Sequence, residues 1–221
     1  MVSETKRPAL SRDTLIEAAL RLLDQVGLDG LTVRRLATEL DVRSPALYWH
    51  IRTKQELLDG MADAIVLAAG MGPPRAGETW QSWLTRRAHA YRASLLAHRD
   101  GARLVANAAS LSPATIRLFD EELTALVDCG FSPALALHTI GGCTSYINGF
   151  VLREQAERQE SSDDPSQRLA AVAALLDAGM DATLLRALRE GGSSVGEEAF
   201  DHGLRALIDG TTAALQRSHT H

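Results

Sequence analysis

The sequence predicts an all-α protein, and three observations favour this fold class. Ala and Leu far outnumber Val and Ile, and aromatic residues make up only 5% of the 221 residues, a bias towards helices over strands. Apolar residues recur at helical spacing along most of the chain. Ser11, Thr32 and Thr53 stand immediately before such stretches, where a side-chain oxygen can accept an orphan backbone N–H.

Residues 1–60 indicate three helices, of which the second and third are short and joined by a tight turn. The first helix is expected at about 11–26, with a buried apolar stripe that ends at Gly27. Thr32 precedes the second helix as its N-cap. The segment 41–43 breaks the apolar pattern, and Pro45 then suits the first turn of the third helix.

The third helix has an unusual composition for a core element. Tyr48, Trp49 and His50 are adjacent, so their side chains point in different directions and some must face outward. Exposed rings and polar tips beside Arg43 and Lys54 are typical of a helix that contacts the major groove of DNA. The alternative is an ordinary surface helix pair with Trp49 half-buried.

The charge distribution supports a DNA-facing end. The whole chain carries a net charge of −5, yet the window 31–54 holds five Lys/Arg residues against Glu39 and Asp41. Residues 1–60 are neutral, so the segment 61–221 carries the whole negative charge. This pattern favours a protein that docks one end on DNA, and it excludes a general DNA coater.

The rest of the chain indicates a helical body. A capping box, Thr53 to Glu56, begins a helix at about 54–69, and a Gly/Pro linker at 71–77 follows. Gly141, Gly142 and Gly149 lie inside a predicted helix, where they permit either close helix approach or room for a ligand. Further helices are expected at about 79–98, 101–108, 113–128, 133–158, 169–176, 182–188 and 196–216.

Nothing in the sequence indicates an enzyme or a resident cofactor. The histidines are dispersed, and Glu121 and Glu122 diverge on a helix, so they are not an acid–base pair. Cys129 and Cys143 lack metal-ligand spacing and are expected to be buried thiols. With no apolar run of about 18 residues and no signal region, the sequence predicts a cytoplasmic protein without a membrane partner, cofactor or metal.

Several motifs resemble one family of regulators. SPALYWHI and RTKQELLD, at 44–59, resemble the recognition helix and following helix of the tetracycline-repressor (TetR) family. The resemblance points to the tetracycline-repressor branch and implies a three-helix helix-turn-helix DNA-binding domain at 1–60, with a connecting helix to about 70. It further implies an effector-binding and dimerisation bundle at 71–221. The resemblance continues in AGETWQSWL (76–84), HRDGA (98–102), GFS (130–132) and EEAFDHGL (197–204).

The resemblance implies a homodimeric, ligand-responsive repressor that a small-molecule effector releases from a palindromic operator. The helix at 54–69 is expected to act as the lever between the effector site and the DNA. The alternative is a regulator whose bundle binds a protein or peptide partner and no small ligand. The implied DNA contacts are Val33, Arg34, Arg43, Ser44, Pro45, Ala46, Tyr48, Trp49, His50 and Lys54.

The effector site departs from the tetracycline-binding members. Their magnesium-ligating histidine falls at about Val105, and a drug-contacting asparagine and phenylalanine fall at Arg87 and Tyr91. Because valine cannot ligate a hard cation, metal-tetracycline is not expected as the effector. Arg87 suits an anionic or polyphenolic ligand, and the expected effector is a hydrophobic or polyphenolic small molecule. The predicted pocket residues are Arg87, Tyr91, Val105, Phe119, Glu122, Ser145, Tyr146, Gly149 and Arg153.

Dimerisation is expected through the last helix and the helix at 133–158, because the last helix has a wide apolar stripe. The stripe consists of Phe200, Leu204, Leu207, Ile208 and Leu215.

Overall fold

The computed structural model describes residues 10–160, 183–184, 186–187 and 194–218, and every regular element among them is an α-helix. The chain divides into two compact units, Met1–Asn148 and Gly149–His221. The predicted helix at 169–176 lies outside the described residues, and that at 182–188 mostly so. The helices are α1 (Arg12–Gly30), α2 (Val33–Glu39), α3 (Ser44–Leu47), α4 (Lys54–Ala68), α5 (Trp80–Leu96), α6 (Gly101–Ala106), α7 (Pro113–Asp128), α8 (Pro133–Glu160) and α9 (Glu197–Ser218).

The N-cap of α1 acts as the sequence predicts, whereas the helix continues past its predicted end at Gly27 to Gly30. The Ser11 hydroxyl accepts the backbone N–H of Thr14 at 3.2 Å, and the Thr14 hydroxyl accepts the N–H of Ser11 at 2.9 Å. Gly27 interrupts the helix with φ of 70°, a conformation that glycine adopts without strain. The buried face of α1 consists of Leu15, Ile16, Ala18, Ala19, Leu22 and Leu23.

The turn between α2 and α3 is also confirmed. The Thr32 hydroxyl accepts the N–H of Arg35 at 3.2 Å, and Asp41 turns the chain with φ of 52°. Pro45 occupies the first turn of α3, where its missing N–H costs nothing. Leu36 and Leu47 are fully buried, so each short helix is held by an apolar anchor.

Helix α4 connects this region to the helices that follow within the first unit. The Thr53 hydroxyl accepts the N–H of Glu56 at 3.0 Å, as the predicted capping box requires. The Glu56 carboxylate, however, accepts the N–H of Arg52 at 2.8 Å, one residue before the N-cap. Helix α4 packs against α1, α5, α6 and α7, with Leu57, Met61 and Ile65 buried.

In the second unit, the apolar stripe of α9 is largely buried inside the chain. The ring of Phe200 contacts that of Phe150 edge-on, with centroids 5.3 Å apart. Phe200, Leu204 and Ile208 are buried, so the prediction that they form the dimer surface is wrong for these three. Helical periodicity reveals an apolar face but not which molecule covers it.

The expectation of buried thiols holds for one cysteine and not for the other. Cys143 is buried, whereas Cys129, at the C-cap of α7, is exposed. No helix in the described part of the chain is both long and apolar enough to span a bilayer.

Candidate DNA-binding surface and effector cavity

Two large aromatic side chains at the end of α3 are exposed. Trp49 is 88% exposed and Tyr48 is 51% exposed, so the alternative with a half-buried Trp49 is wrong. Leu47, on the same short helix, is fully buried and turns these rings outward. Exposed apolar groups beside polar ones are typical of an interaction surface.

Unpaired cations flank the aromatic pair. Arg34 and Arg43 are exposed, and neither guanidinium forms a hydrogen bond or ion pair with another described residue. Arg35, by contrast, donates to the carbonyl of Gly30 at 3.1 Å. Of the remaining predicted DNA contacts, Pro45 and Lys54 are exposed, whereas Val33, Ser44, Ala46 and His50 are partly buried.

A cavity of about 240 Å³ lies in the first unit, between α4, α5, α6, α7 and α8. Its surface is mostly apolar, as is usual for a small-molecule site. Its lining residues are Val66, Ala69, Met71, Arg87, Tyr91, Val105, Ala108, Leu111, Thr115, Phe119, Thr144 and Asn148.

Four of the predicted pocket residues, Arg87, Tyr91, Val105 and Phe119, line this cavity, and Glu122 is buried behind Arg87. The other four are not among its described lining residues. Ser145, Gly149 and Arg153 are exposed, and Tyr146 is only partly buried.

Helical rotation explains this difference on α8. Thr144 and Asn148, four residues apart, face the cavity, and the adjacent Ser145 is turned by about 100° away from it. Arg153 donates to the hydroxyl of Ser194 at 2.8 Å within the second unit. The sequence analysis did not predict Thr115 or Thr144 as pocket residues. Only their positions on the faces of the predicted helices could have indicated that they line the cavity.

A buried ion pair forms one wall of the cavity. The Arg87 Nε donates to both Glu122 oxygens at 2.9 Å, and Nη2 lies 2.8 Å from Oε2. The Glu122 side chain is fully buried, and it also accepts the N–H of Gly72 at 3.2 Å. The Trp83 indole donates to the Gly72 carbonyl at 2.9 Å, so the linker after α4 is held from both sides.

Two buried polar atoms at the cavity lack a hydrogen-bond partner among the described residues: Arg87 Nη1 and Thr144 Oγ1. The other hydroxyls of the wall are committed. Tyr91 donates to Asn148 Oδ1 at 2.9 Å, and Thr115 donates to Asp63 Oδ1 at 2.6 Å. Burial raises the pKa of the Tyr91 hydroxyl, although the hydrogen bond to Asn148 and the charge of Arg87 oppose this shift.

Two carboxylates of α4 accept hydrogen bonds from the segment 109–115, which forms another wall of the cavity. Asp59 accepts the N–H of Ala109 at 2.9 Å and the hydroxyl of Ser110 at 2.8 Å. Asp63 accepts the N–H of Ser112 at 2.9 Å as well as the hydroxyl of Thr115. Both aspartates therefore join the body of α4 to the edge of the cavity.

The described lining residues do not suit a divalent cation. Such ions prefer carboxylate or imidazole ligands, and the lining side chains include neither. Val105 offers no donor atom, and the Glu122 carboxylate is occupied by Arg87 and Gly72. The described residues hold no cluster of three or more His, Cys, Asp or Glu side chains that fits a metal ion.

Comparisons with known proteins agree with this arrangement. Residues 15–61 match the family model for bacterial regulatory proteins of the tetR family, and residues 73–215 match the tetracyclin repressor-like C-terminal domain. The chain is 38% identical to the class A tetracycline repressor protein from transposon 1721 of Escherichia coli over 91% of its own length and 90% of that protein.

Two solved structures extend the similarity to the fold. A possible TetR family transcriptional regulator from Streptomyces coelicolor A3(2) is 35% identical, with a TM-score of 0.78 over 92% of this chain and 100% of that one. Class A TetR in complex with 5a,6-anhydrotetracycline and magnesium is 35% identical, with a TM-score of 0.70 over 92% and 99%. This chain belongs to the tetracycline-repressor (TetR) family of ligand-responsive, DNA-binding transcriptional repressors.

Proposed function

We propose that this repressor binds a palindromic operator as a homodimer and is released by an organic effector that occupies the 240 Å³ cavity without a metal ion. The observation that carries the proposal is the pair of α4 carboxylates, Asp59 and Asp63, bonded to the segment beside the cavity. A ligand that displaces this wall acts directly on the helix that follows the DNA-facing residues.

The operator contacts are assigned to the exposed face of α2 and α3. Trp49 and Tyr48 supply apolar contacts, and Arg34 has a free guanidinium that suits a guanine edge. Lys54, at the start of α4, and Arg43 suit phosphates, which position the protein without reading sequence. In a dimer, the two half-sites are expected to lie about 34–36 Å apart or at a multiple of that spacing.

The dimer surface is assigned to the open face of α8. Gly142, Ser145, Gly149 and Leu152 recur at spacings of three and four and are all exposed. A Cβ atom at Gly142 or Gly149 meets no described atom within 4 Å. Small residues on an open helix face permit a helix of a second copy to approach closely, in a two-fold four-helix interface.

A metal-free effector follows from the donor atoms of the cavity. Val105 offers no donor atom to a cation, and the described lining offers threonine, asparagine and tyrosine groups instead. Both cysteines are free thiols, which suits action in a reducing cytoplasm. The described lining of the cavity suits a small molecule better than a protein or peptide partner.

Release requires that the effector favour the arrangement that cannot bind DNA. Ala108, Leu111 and Thr115 line the cavity within the segment that Asp59 and Asp63 hold. Outward pressure on this wall would tilt α4 in both subunits and change the distance between the two DNA-facing ends. Since an effector shifts an equilibrium only by its differential affinity, operator DNA must weaken effector binding by the same factor.

The experiment begins with an operator selected from random duplex DNA by the wild-type protein. Fluorescence anisotropy then measures release by fractions of a protein-free organic extract, with and without EDTA. The double variant Asp59→Ala, Asp63→Ala removes all four hydrogen bonds to the wall and should keep operator affinity but lose much of the response, whereas Asp120→Ala, which removes an exposed carboxylate on α7, should respond like wild type. Equal effector affinity for free and operator-bound protein would contradict the release mechanism, and loss of response in EDTA would contradict metal independence.

A further inference from the structure

We propose that Glu122 makes the cavity select a neutral effector with an oxygen acceptor, such as a ketone, quinone, amide or phenol, over a carboxylate. This inference rests on the proposed function, because it names the chemical class that the effector cavity takes. It concerns Glu122 as a specificity-determining residue that acts through Arg87 and does not itself line the cavity.

The acceptor requirement comes from the unused donors. The side chain of Arg87 is only 10% exposed, and its Nη1 has no hydrogen-bond partner among the described residues. On α8, the buried Thr144 Oγ1 also has no hydrogen-bond partner among the described residues. A buried N–H without a partner is destabilising, so a ligand that presents an acceptor to Nη1 gains affinity by supplying the missing hydrogen bond.

The neutrality requirement comes from charge balance. Arg87 is the sole charged side chain among the described lining residues, and its Nε and Nη2 already bind Glu122 within 2.9 Å. The positive charge is therefore compensated before any ligand enters. A carboxylate at Nη1 would be a second anion beside one cation in a mostly apolar enclosure, where an uncompensated charge is strongly disfavoured.

Glu122 is also fixed in this role. Its side chain is fully buried, and its Oε1 accepts both from Arg87 at 2.9 Å and from the Gly72 N–H at 3.2 Å. Swinging away to make room for a ligand carboxylate would leave Gly72 and Glu122 unpaired. A neutral acceptor needs no such rearrangement, because it takes only the N–H groups that Glu122 does not use.

The test uses matched probes that differ only in the acceptor group. Three pairs of methyl ketones and carboxylates, on benzene, naphthalene and anthracene, span ligand sizes up to the cavity volume. Isothermal titration calorimetry at pH 7, where the carboxylates are ionised, measures both members of each pair. We expect wild type to prefer the ketone by about tenfold or more in the pairs that bind. Equal or tighter carboxylate binding, or no binding by any probe, would overturn the inference.

Three variants locate the cause. Glu122→Gln leaves Arg87 uncompensated and should reverse the preference towards the carboxylate, whereas Glu121→Gln, the same change on the exposed neighbour, should leave it as in wild type. The double variant Arg87→Gln, Glu122→Gln removes both charges and should again reject the carboxylate, which keeps the test decisive if the single variant unfolds. An unchanged ratio in a folded Glu122→Gln protein overturns the inference.

The same probes separate this inference from the proposed function. Each probe that binds is added to the protein on its selected operator, and anisotropy reports release. Ketone preference together with release supports both conclusions. Ketone preference without release by any bound probe retains the selectivity of the cavity and counts against its role as the effector site.

Discussion

Trp49 and Leu47 offer a direct separation of DNA binding from folding, because they lie on the same turn with opposite exposure. Trp49 is 88% exposed in the free protein, whereas Leu47 is fully buried. Trp49→Ala removes little buried area, so its free energy of unfolding should stay within about 0.5 kcal/mol of wild type. Leu47→Ala should lower the free energy of unfolding by about 2–5 kcal/mol, because it opens a cavity in the core.

The effect on DNA should be the reverse. A side chain that contacts a base edge contributes roughly 1–3 kcal/mol, and a dimer on a palindrome makes the contact twice. The two sites are distant and independent, so their losses add. Trp49→Ala should therefore weaken operator binding by about 2–6 kcal/mol, which is roughly thirtyfold or more in Kd.

Fluorescence anisotropy on the selected operator gives Kd at fixed salt, and urea denaturation at fixed protein concentration gives stability. The contrast between the two variants is the diagnostic result. If Trp49→Ala binds the operator as tightly as wild type, the assignment of the exposed aromatic pair to DNA is wrong. If Trp49→Ala loses as much stability as Leu47→Ala, its effect on DNA would report unfolding and not a lost contact.

Three further predictions follow from burial and charge. Glu122→Ala should cost about 3–5 kcal/mol in unfolding free energy because Arg87 is left buried without its partner, whereas Glu121→Ala should be near neutral in the same denaturation assay. The hydrogen bond from Arg86 lowers the pKa of Glu78 from 4.5 to about 2. Ionised Glu78 therefore stabilises the folded state above pH 4.5, and this stabilisation is lost as the pH falls towards 2. The difference in unfolding free energy between wild type and Glu78→Gln should disappear over that pH range. Leu152→Glu, on the open face of α8, should shift sedimentation from dimer to monomer.

The sequence predicted local structure well because local signals are complete within a few residues. The Ser11, Thr32 and Thr53 caps, the Gly27 interruption and the Pro45 helix start each depend on neighbours no more than four positions away. Such motifs satisfy backbone groups that any helix end leaves unpaired. Their chemistry does not depend on what the rest of the chain does.

The cavity was predicted only in part because its geometry depends on distant residues. Arg87 and Glu122 are 35 positions apart, and nothing in either neighbourhood indicates that they pair. On α8 the sequence prediction named Ser145, whereas the neighbouring Thr144, about 100° of helical rotation away, lines the cavity. The dimer prediction for the stripe of α9 failed for a related reason. Periodicity placed Phe200 on an apolar face but did not show that Phe150 of the same chain covers it.

The hydrogen bonds between α4 and the cavity wall at 109–115 favour movement of the helix and the wall together, because breaking all of these bonds is costly. Asp59 and Asp63 together accept four hydrogen bonds from the segment 109–115, at 2.6–2.9 Å. Each bond to a charged group contributes about 1.5–3 kcal/mol, so breaking all four costs roughly 6 kcal/mol or more. Typical allosteric coupling energies are only about 1–3 kcal/mol. A ligand that moves this wall therefore shifts α4 with it more readily than it detaches the wall, and Ser110→Ala, which removes one of the four bonds, should leave operator release largely intact.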